Sequence, residues 1–144
     1  QLANWVEPIL QKMSSAERRT LMKEISRDLR KETQQRMKEQ KSPDGSPWPP
    51  RKPRLRETGK IRKRAMFTKL RTAKHLKIRT TTSSAGLSFA GIAGRIAATH
   101  HYGLRDKVDK YGPVYDYPAR PMLGFSASDL ELIADRVLSH VSDA

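Results

Sequence analysis

The sequence predicts an α+β fold: a small antiparallel sheet, a long N-terminal helix, a C-terminal helix, and an extended basic, proline-rich arm. Three observations carry this. Leu21, Met22, Ile25, Leu29 and Met37 recur at helical spacing. LKIRTTT alternates Leu76, Ile78 and Thr80 with Lys77, Arg79 and Thr81, as a half-buried strand does. Between them Gln40–Arg64 gathers five prolines, two glycines and a dense run of Lys and Arg, and neither period survives. With 144 residues the chain has material for one core. We read 1–144 as a single domain, with 41–64 as an extended basic loop or arm.

Each element has its own local reason. WVEPILQKM reads as a short helix, because Trp5, Ile9 and Met13 recur every four residues and Pro8 suits a first turn. Ser14-x-x-Glu17 is a capping box: the serine covers a free amide and the glutamate reaches back. The helix it opens should run to about Gln40, roughly 37 Å at 1.5 Å per residue. Its outer face (Arg18, Arg19, Lys23, Arg27, Arg30, Lys31) is charged and is expected to meet solvent. Pro43-Asp44-Gly45 then stops it. Trp48 sits among prolines, and an aromatic there needs a place of burial, so the loop should dock on something.

Further on, AMFTKLRTA has helix-like composition, with Phe67 and Leu70 three apart. After the first strand SSAG supplies a turn, and LSFAGIAGRIAATHHYG reads as one or two further strands with Leu87, Phe89 and Ile92 on one face. Ser126 or Ser128 caps a last helix whose stripe is Leu130, Ile133, Ala134, Val137, Leu138 and Val141.

The net charge of +14 is unevenly spread. Residues 41–79 carry fourteen basic groups against two acidic ones, whereas residues 121–144 carry one against four. A block of that kind attracts polyanions and repels itself, so it stays extended until something neutralises it. Cysteine is absent, which removes disulfides and thiolate metal sites. No apolar run approaches the roughly 20 residues that span a bilayer, and no signal-peptide pattern opens the chain. The expected setting is a reducing cytoplasm, and a few residues are expected ahead of Gln1, which is not preceded by Met.

Chemistry is sparse. His100-His101, placed on a strand, would point to opposite faces and could not share a metal. Asp106, Asp109 and Asp116 match no metal spacing, and no nuclease, phosphate-loop or nucleophile-elbow pattern fits. The chain therefore reads as a non-enzyme with no catalytic residues, no metal and no cofactor. Arg51, Lys52, Arg54, Arg56, Lys60, Arg62, Lys63 and Arg64 would neutralise phosphates without regard to sequence, or face an acidic protein surface. Tyr117-Pro118-Ala119-Arg120-Pro121 reads as a rigid extended connector. Its Arg120 would donate to a carboxylate on this or a neighbouring subunit, or pair with the acidic last helix (Asp129, Glu131, Asp135).

The phrases QKSPDGSPWPPRK, MFTKLRTAKHLKI, IAATHHYGLRD and YPARPMLGFSASDLELI together resemble the phage virion morphogenesis family, over nearly the full length. The resemblance implies a structural protein that finishes the tail at its head-proximal end and makes it competent for head–tail joining. It implies assembly in the host cytoplasm, a place in the virion, and other neck and tail proteins as partners. A ring of identical subunits follows from that architecture, a hexamer by analogy with sixfold tails, with no membrane contact. A ring subunit needs a small fold, a face completed by its neighbour, and an arm that reaches across. Trp48, Tyr117, Arg120, Pro121 and Leu123 are the expected interface residues, and the basic arm would meet an acidic partner or passing DNA. The alternative is a basic DNA-binding accessory protein in packaging or morphogenesis.

Overall fold

The computed structural model describes residues 2–50, 54–55, 61–62, 65–107 and 111–142. Four helices and three two-stranded antiparallel ladders follow the order α1 (Leu2–Gln11), α2 (Ser15–Lys38), β1 (Arg54–Leu55), β2 (Ile61–Arg62), β3 (Leu76–Thr80), β4 (Ala85–Phe89), α3 (Ile92–Tyr102), β5 (Arg105–Lys107), β6 (Val114–Asp116) and α4 (Ala127–Ser142). The α+β class read from the sequence is therefore the class observed.

Helix α2 organises the rest. Its start is the expected capping box, with the Glu17 amide donating to Ser14 Oγ at 3.2 Å and the Ser14 amide to Glu17 Oε2 at 3.4 Å. Its length lets it join two cores. Its first two thirds contribute Leu21, Met22, Ile25 and Leu29 to a cluster with Val137 of α4, flanked by α1 and β4. Its last turn contributes Met37 to a second cluster with Trp48, Met66, Leu70, Ala93, Ala97 and Met122. The β3–β4 hairpin packs across α2. In its register Leu76 faces Phe89 and Ile78 faces Leu87, so the apolar side chains share one face as the alternation predicts. Its turn is Thr81–Ser84, closed by the Thr81 amide on Ser84 O at 2.9 Å.

Several local expectations are corrected. Pro8 is inside α1 rather than in its first turn. Ala65–Ala73 forms consecutive turns, without an α-helix. The segment after Phe89 is helix α3, and not a strand. Ile92 therefore starts a helix at 82% exposure and shares no strand face with Leu87 and Phe89. The physical reason is alanine: Ala93 and Ala97, four apart, form the buried face, and small side chains let the helix lie close on β4. Gly94 marks that closeness, since a Cβ there would stand 3.0 Å from Phe89 O. On a helix, His100 and His101 are neighbours around one turn, so the strand argument for their opposite faces lapses. The stripe of α4 also divides: Val137 is buried and Ile133 packs on the core, whereas Leu130, Leu138 and Val141 are about half exposed.

Candidate functional site

The chain leaves α2 through a Schellman turn made without glycine. Gln40 adopts φ +60, its amide donates to Met37 O at 3.1 Å, and the Lys41 amide donates to Arg36 O at 3.1 Å. The Gln40 carboxamide holds this strained position. Its Nε2 donates to Met37 O at 2.8 Å and Met66 O at 2.9 Å, while its Oε1 accepts from the Met66 amide at 2.7 Å. Pro43-Asp44-Gly45 then turns, with Gly45 at φ +87. Asp44 Oδ1 accepts from the amide of Ser46 at 2.9 Å and from its hydroxyl, and the hydroxyl contact chiefly holds this carboxyl below its usual pKa. The Ser42 amide donates to Ser46 O at 2.9 Å and the Trp48 amide to Gln40 O at 2.8 Å. Residues 41–50 thus lie folded against the body of their own chain.

Their dock is the segment 117–124. Trp48 is 4% exposed and its Nε1 donates to Pro121 O at 2.9 Å. Arg120, 6% exposed, answers in the other direction: its Nε donates to Pro49 O at 2.9 Å and its Nη2 to Pro50 O at 3.3 Å. Helix α3 backs the same segment. The Arg120 amide donates to His100 O at 2.7 Å, and His101 Nδ1 accepts from the Met122 amide at 3.0 Å. An accepting Nδ1 requires the neutral ring, and burial lowers the His101 pKa accordingly. Gly103 closes the helix at φ +67, where a Cβ would meet Ala119 N at 2.7 Å, so the close approach and the backbone both call for glycine. Aromatic rings run through this clasp from Trp48 to Phe67, His100 and Tyr117, at centroid distances of 5.4, 4.8 and 4.6 Å.

All five residues expected at a subunit interface meet here: Trp48, Tyr117, Arg120, Pro121 and Leu123. Trp48 Nε1 and Arg120 Nε and Nη2 all donate to backbone carbonyls of their own chain. Asp129, one of the last-helix carboxylates expected for Arg120, is held by Arg36 at 3.1 Å. Arg51, Lys52, Arg56, Lys60, Lys63 and Arg64 lie outside the described residues. Arg54 and Arg62 stand opposite each other in the β1–β2 register. Gln40 and Arg36 carry no motif in the sequence, and His101 is a backbone acceptor here, not half of a metal pair. Their signal is weak, because each acts on a backbone or a carboxylate distant in sequence. Among the described residues no three His, Asp or Glu side chains come together as metal ligands. No helix among them is long and apolar enough to cross a membrane. A groove of about 440 Å³ beside the clasp is lined mainly by proline rings, serines and Asp44.

The family model of the phage virion morphogenesis family matches residues 1–142. The chain belongs to that family. Tail completion protein S of Escherichia phage P2 is 38% identical over 136 residues, covering 92% of this chain and 90% of that protein. No solved structure matches. Two elements of the phrases that carry the virion morphogenesis resemblance, Pro-Asp-Gly-x-x-Trp and Pro-Ala-Arg-Pro, are the two halves of the clasp, bonded through Trp48 and Arg120.

Proposed function

We propose that this chain is a structural tail-completion protein of a tailed phage. It assembles as a ring of identical subunits, a hexamer, at the head-proximal end of the tail and makes the tail competent to join the head. It works in the host cytoplasm during assembly and stays in the virion neck, touching other neck and tail proteins. It acts by binding, without catalysis. The observation that carries this reading is the match along almost the whole of both chains to a protein named for tail completion. The exposed apolar side chains of a small subunit support it. Ile92, Phe125, Leu130 and Val141 range from 45% to 82% exposed, and apolar surface of that kind is what a neighbouring subunit covers. Tyr117, Pro121 and Leu123, half-buried in the clasp, sit where a neighbour would complete it.

Molar mass by light scattering, with negative-stain images of the purified protein, tests the proposal. Closed rings of uniform diameter are expected. A monomer that shifts short duplex DNA at physiological salt and forms no rings would favour the DNA-binding accessory reading, which the strongly basic segment 41–79 supports.

A further inference from the structure

Helix α2 segregates its charge. At about 3.6 residues per turn, Arg19, Lys23, Arg27, Arg30, Lys31 and Lys38 fall within about 120° of arc, largely opposite the buried face, with one edge bordering the core at Met37. No Asp or Glu of the helix shares that arc. Arg30 is half-buried and the other five are exposed. Among the described residues none of the six makes an ion pair or side-chain hydrogen bond.

The acidic groups of the same helix are placed differently. Glu17 closes the N-terminal capping box. Asp28 receives Arg136 of α4, and Glu24 stands 2.6 Å from His140 and 3.7 Å from Arg136. Three of the four carboxylates of the helix are thus engaged within the subunit, Glu32 being exposed outside the basic arc, while the six cations are left without a partner among the described residues. This arrangement works against the helix. Arg19 and Lys23, Lys23 and Arg27, and Arg27 and Lys31 are each four residues apart, and like charges at that spacing destabilise a helix. A face serving solubility alone would intersperse glutamates.

We infer that this ridge is a docking surface for the phosphate backbone of duplex DNA, read without regard to base sequence. The ridge is roughly 28 Å long at 1.5 Å per residue. A duplex carries one phosphate per ~3.4 Å of axis on each strand, so the ridge covers about eight base pairs, and a straight rod meets a winding strand over only part of that length. An acidic face of a second copy fits less well: α4, the most acidic element, offers only Glu131 and Asp135 as exposed carboxylates against six cations. Both cores anchor α2, so the cations sit on a rigid rod and need little ordering on binding. The inference does not depend on ring formation, and it concerns residues distinct from the basic segment 51–64.

The test is fluorescence anisotropy of a labelled 20-base-pair duplex of arbitrary sequence, titrated with the full chain across a salt series. The variant Arg19→Gln, Lys23→Gln, Arg27→Gln, Lys31→Gln removes four cations while keeping good helix formers. If three or four phosphates are met, the slope of log K against log salt should become shallower by about 3, and low-salt affinity should fall more than tenfold. Circular dichroism should stay unchanged. Should the quadruple variant fold poorly, Arg27→Glu alone, flanked by Lys23 and Lys31 in attractive spacing, should still weaken binding. Unchanged affinity and slope in folded variants would overturn the inference. So would wild-type protein that ignores the duplex but loses self-association in the variant, which would assign the ridge to an acidic protein face. Ring or monomer is measured separately by light scattering, so failure of the assembly proposal is not confused with failure here.

Discussion

Asp129 is 1% exposed, and its carboxylate is held through Oδ2 alone, Oδ1 being buried without a hydrogen-bond partner among the described residues. One carboxylate oxygen accepts both from Arg36 at 3.1 Å and from the Ser126 amide at 3.0 Å, while the Asp129 amide donates to Ser126 Oγ. Arg36 also reaches Gly124 O at 3.3 Å, so one ion pair ties the end of α2 to the start of α4. Removing one partner of a buried pair leaves the other charge uncompensated, at a cost of about 3–5 kcal/mol. Asp129→Ala should therefore lower the urea midpoint far more than loss of an exposed carboxylate such as Glu131. Trp48→Ala should destabilise by a similar amount, about 3–5 kcal/mol, and the loss should appear in the isolated subunit because the indole is buried within one chain. Thermal melts at dilution, where any ring is dissociated, check this. His101 gives the pH dependence. Its folded pKa lies below the unfolded value of about 6.5, so the unfolded chain binds the extra proton more readily. Stability should be fully present above about pH 6.5 and fall as the solution is acidified through that value. His101→Gln, whose amide oxygen can accept from Met122, should flatten that part of the acid limb in denaturation measured from pH 8 to 5.

Elements show where local sequence speaks plainly and where it does not. Helix α2 is announced by its capping box, its apolar period and its proline stop, and the observed span Ser15–Lys38 agrees within two residues of that reading at its C-terminal end. Ser14→Ala should cost about 1 kcal/mol, measurable as a shift in urea midpoint with unchanged slope. Helix α4 was also legible from Ser126 onward. The division of its stripe was not, because Arg136 and His140 anchor it to Asp28 and Glu24 and so set its rotation against α2. Helix α3 was misread for an identifiable reason. Its isoleucines and threonine suit a strand, while its helix signals are an alanine face and a terminal glycine after two histidines. Gly103 at φ +67 is that stop signal, and it was present in the sequence.

At the scale of the whole molecule, exposed charge and fold are largely independent, the buried Arg36–Asp129 pair apart. Exposed ion pairs are worth about 0–1 kcal/mol each, whereas clustered charge governs encounter with an oppositely charged partner. Replacing Arg62, Lys63 and Arg64 together with Gln should therefore keep the circular dichroism and melting temperature. It should yield fewer completed tails or infectious particles, more so at raised salt. Unfolding would show that those side chains pack in the subunit, and full infectivity would show that the segment is only solvated.

The α+β class, the long capped helix, the alternation of β3 and the resemblance to the virion morphogenesis family are legible in the sequence by itself. Each rests on spacing or on an ordered phrase, which a chain carries before it folds. The hairpin turn, by contrast, falls at Thr81–Ser84 and not at SSAG. The sequence also marked Trp48 and Arg120 as residues needing partners. Which partners they took was decided only by tertiary structure. A carbonyl such as that of Pro49 or Pro121 leaves no mark in a sequence, and a guanidinium joins whichever acceptor the fold places within about 3 Å. Arg120 thus holds the proline loop through backbone carbonyls, and Asp129, one of the last-helix carboxylates expected for it, is held by Arg36.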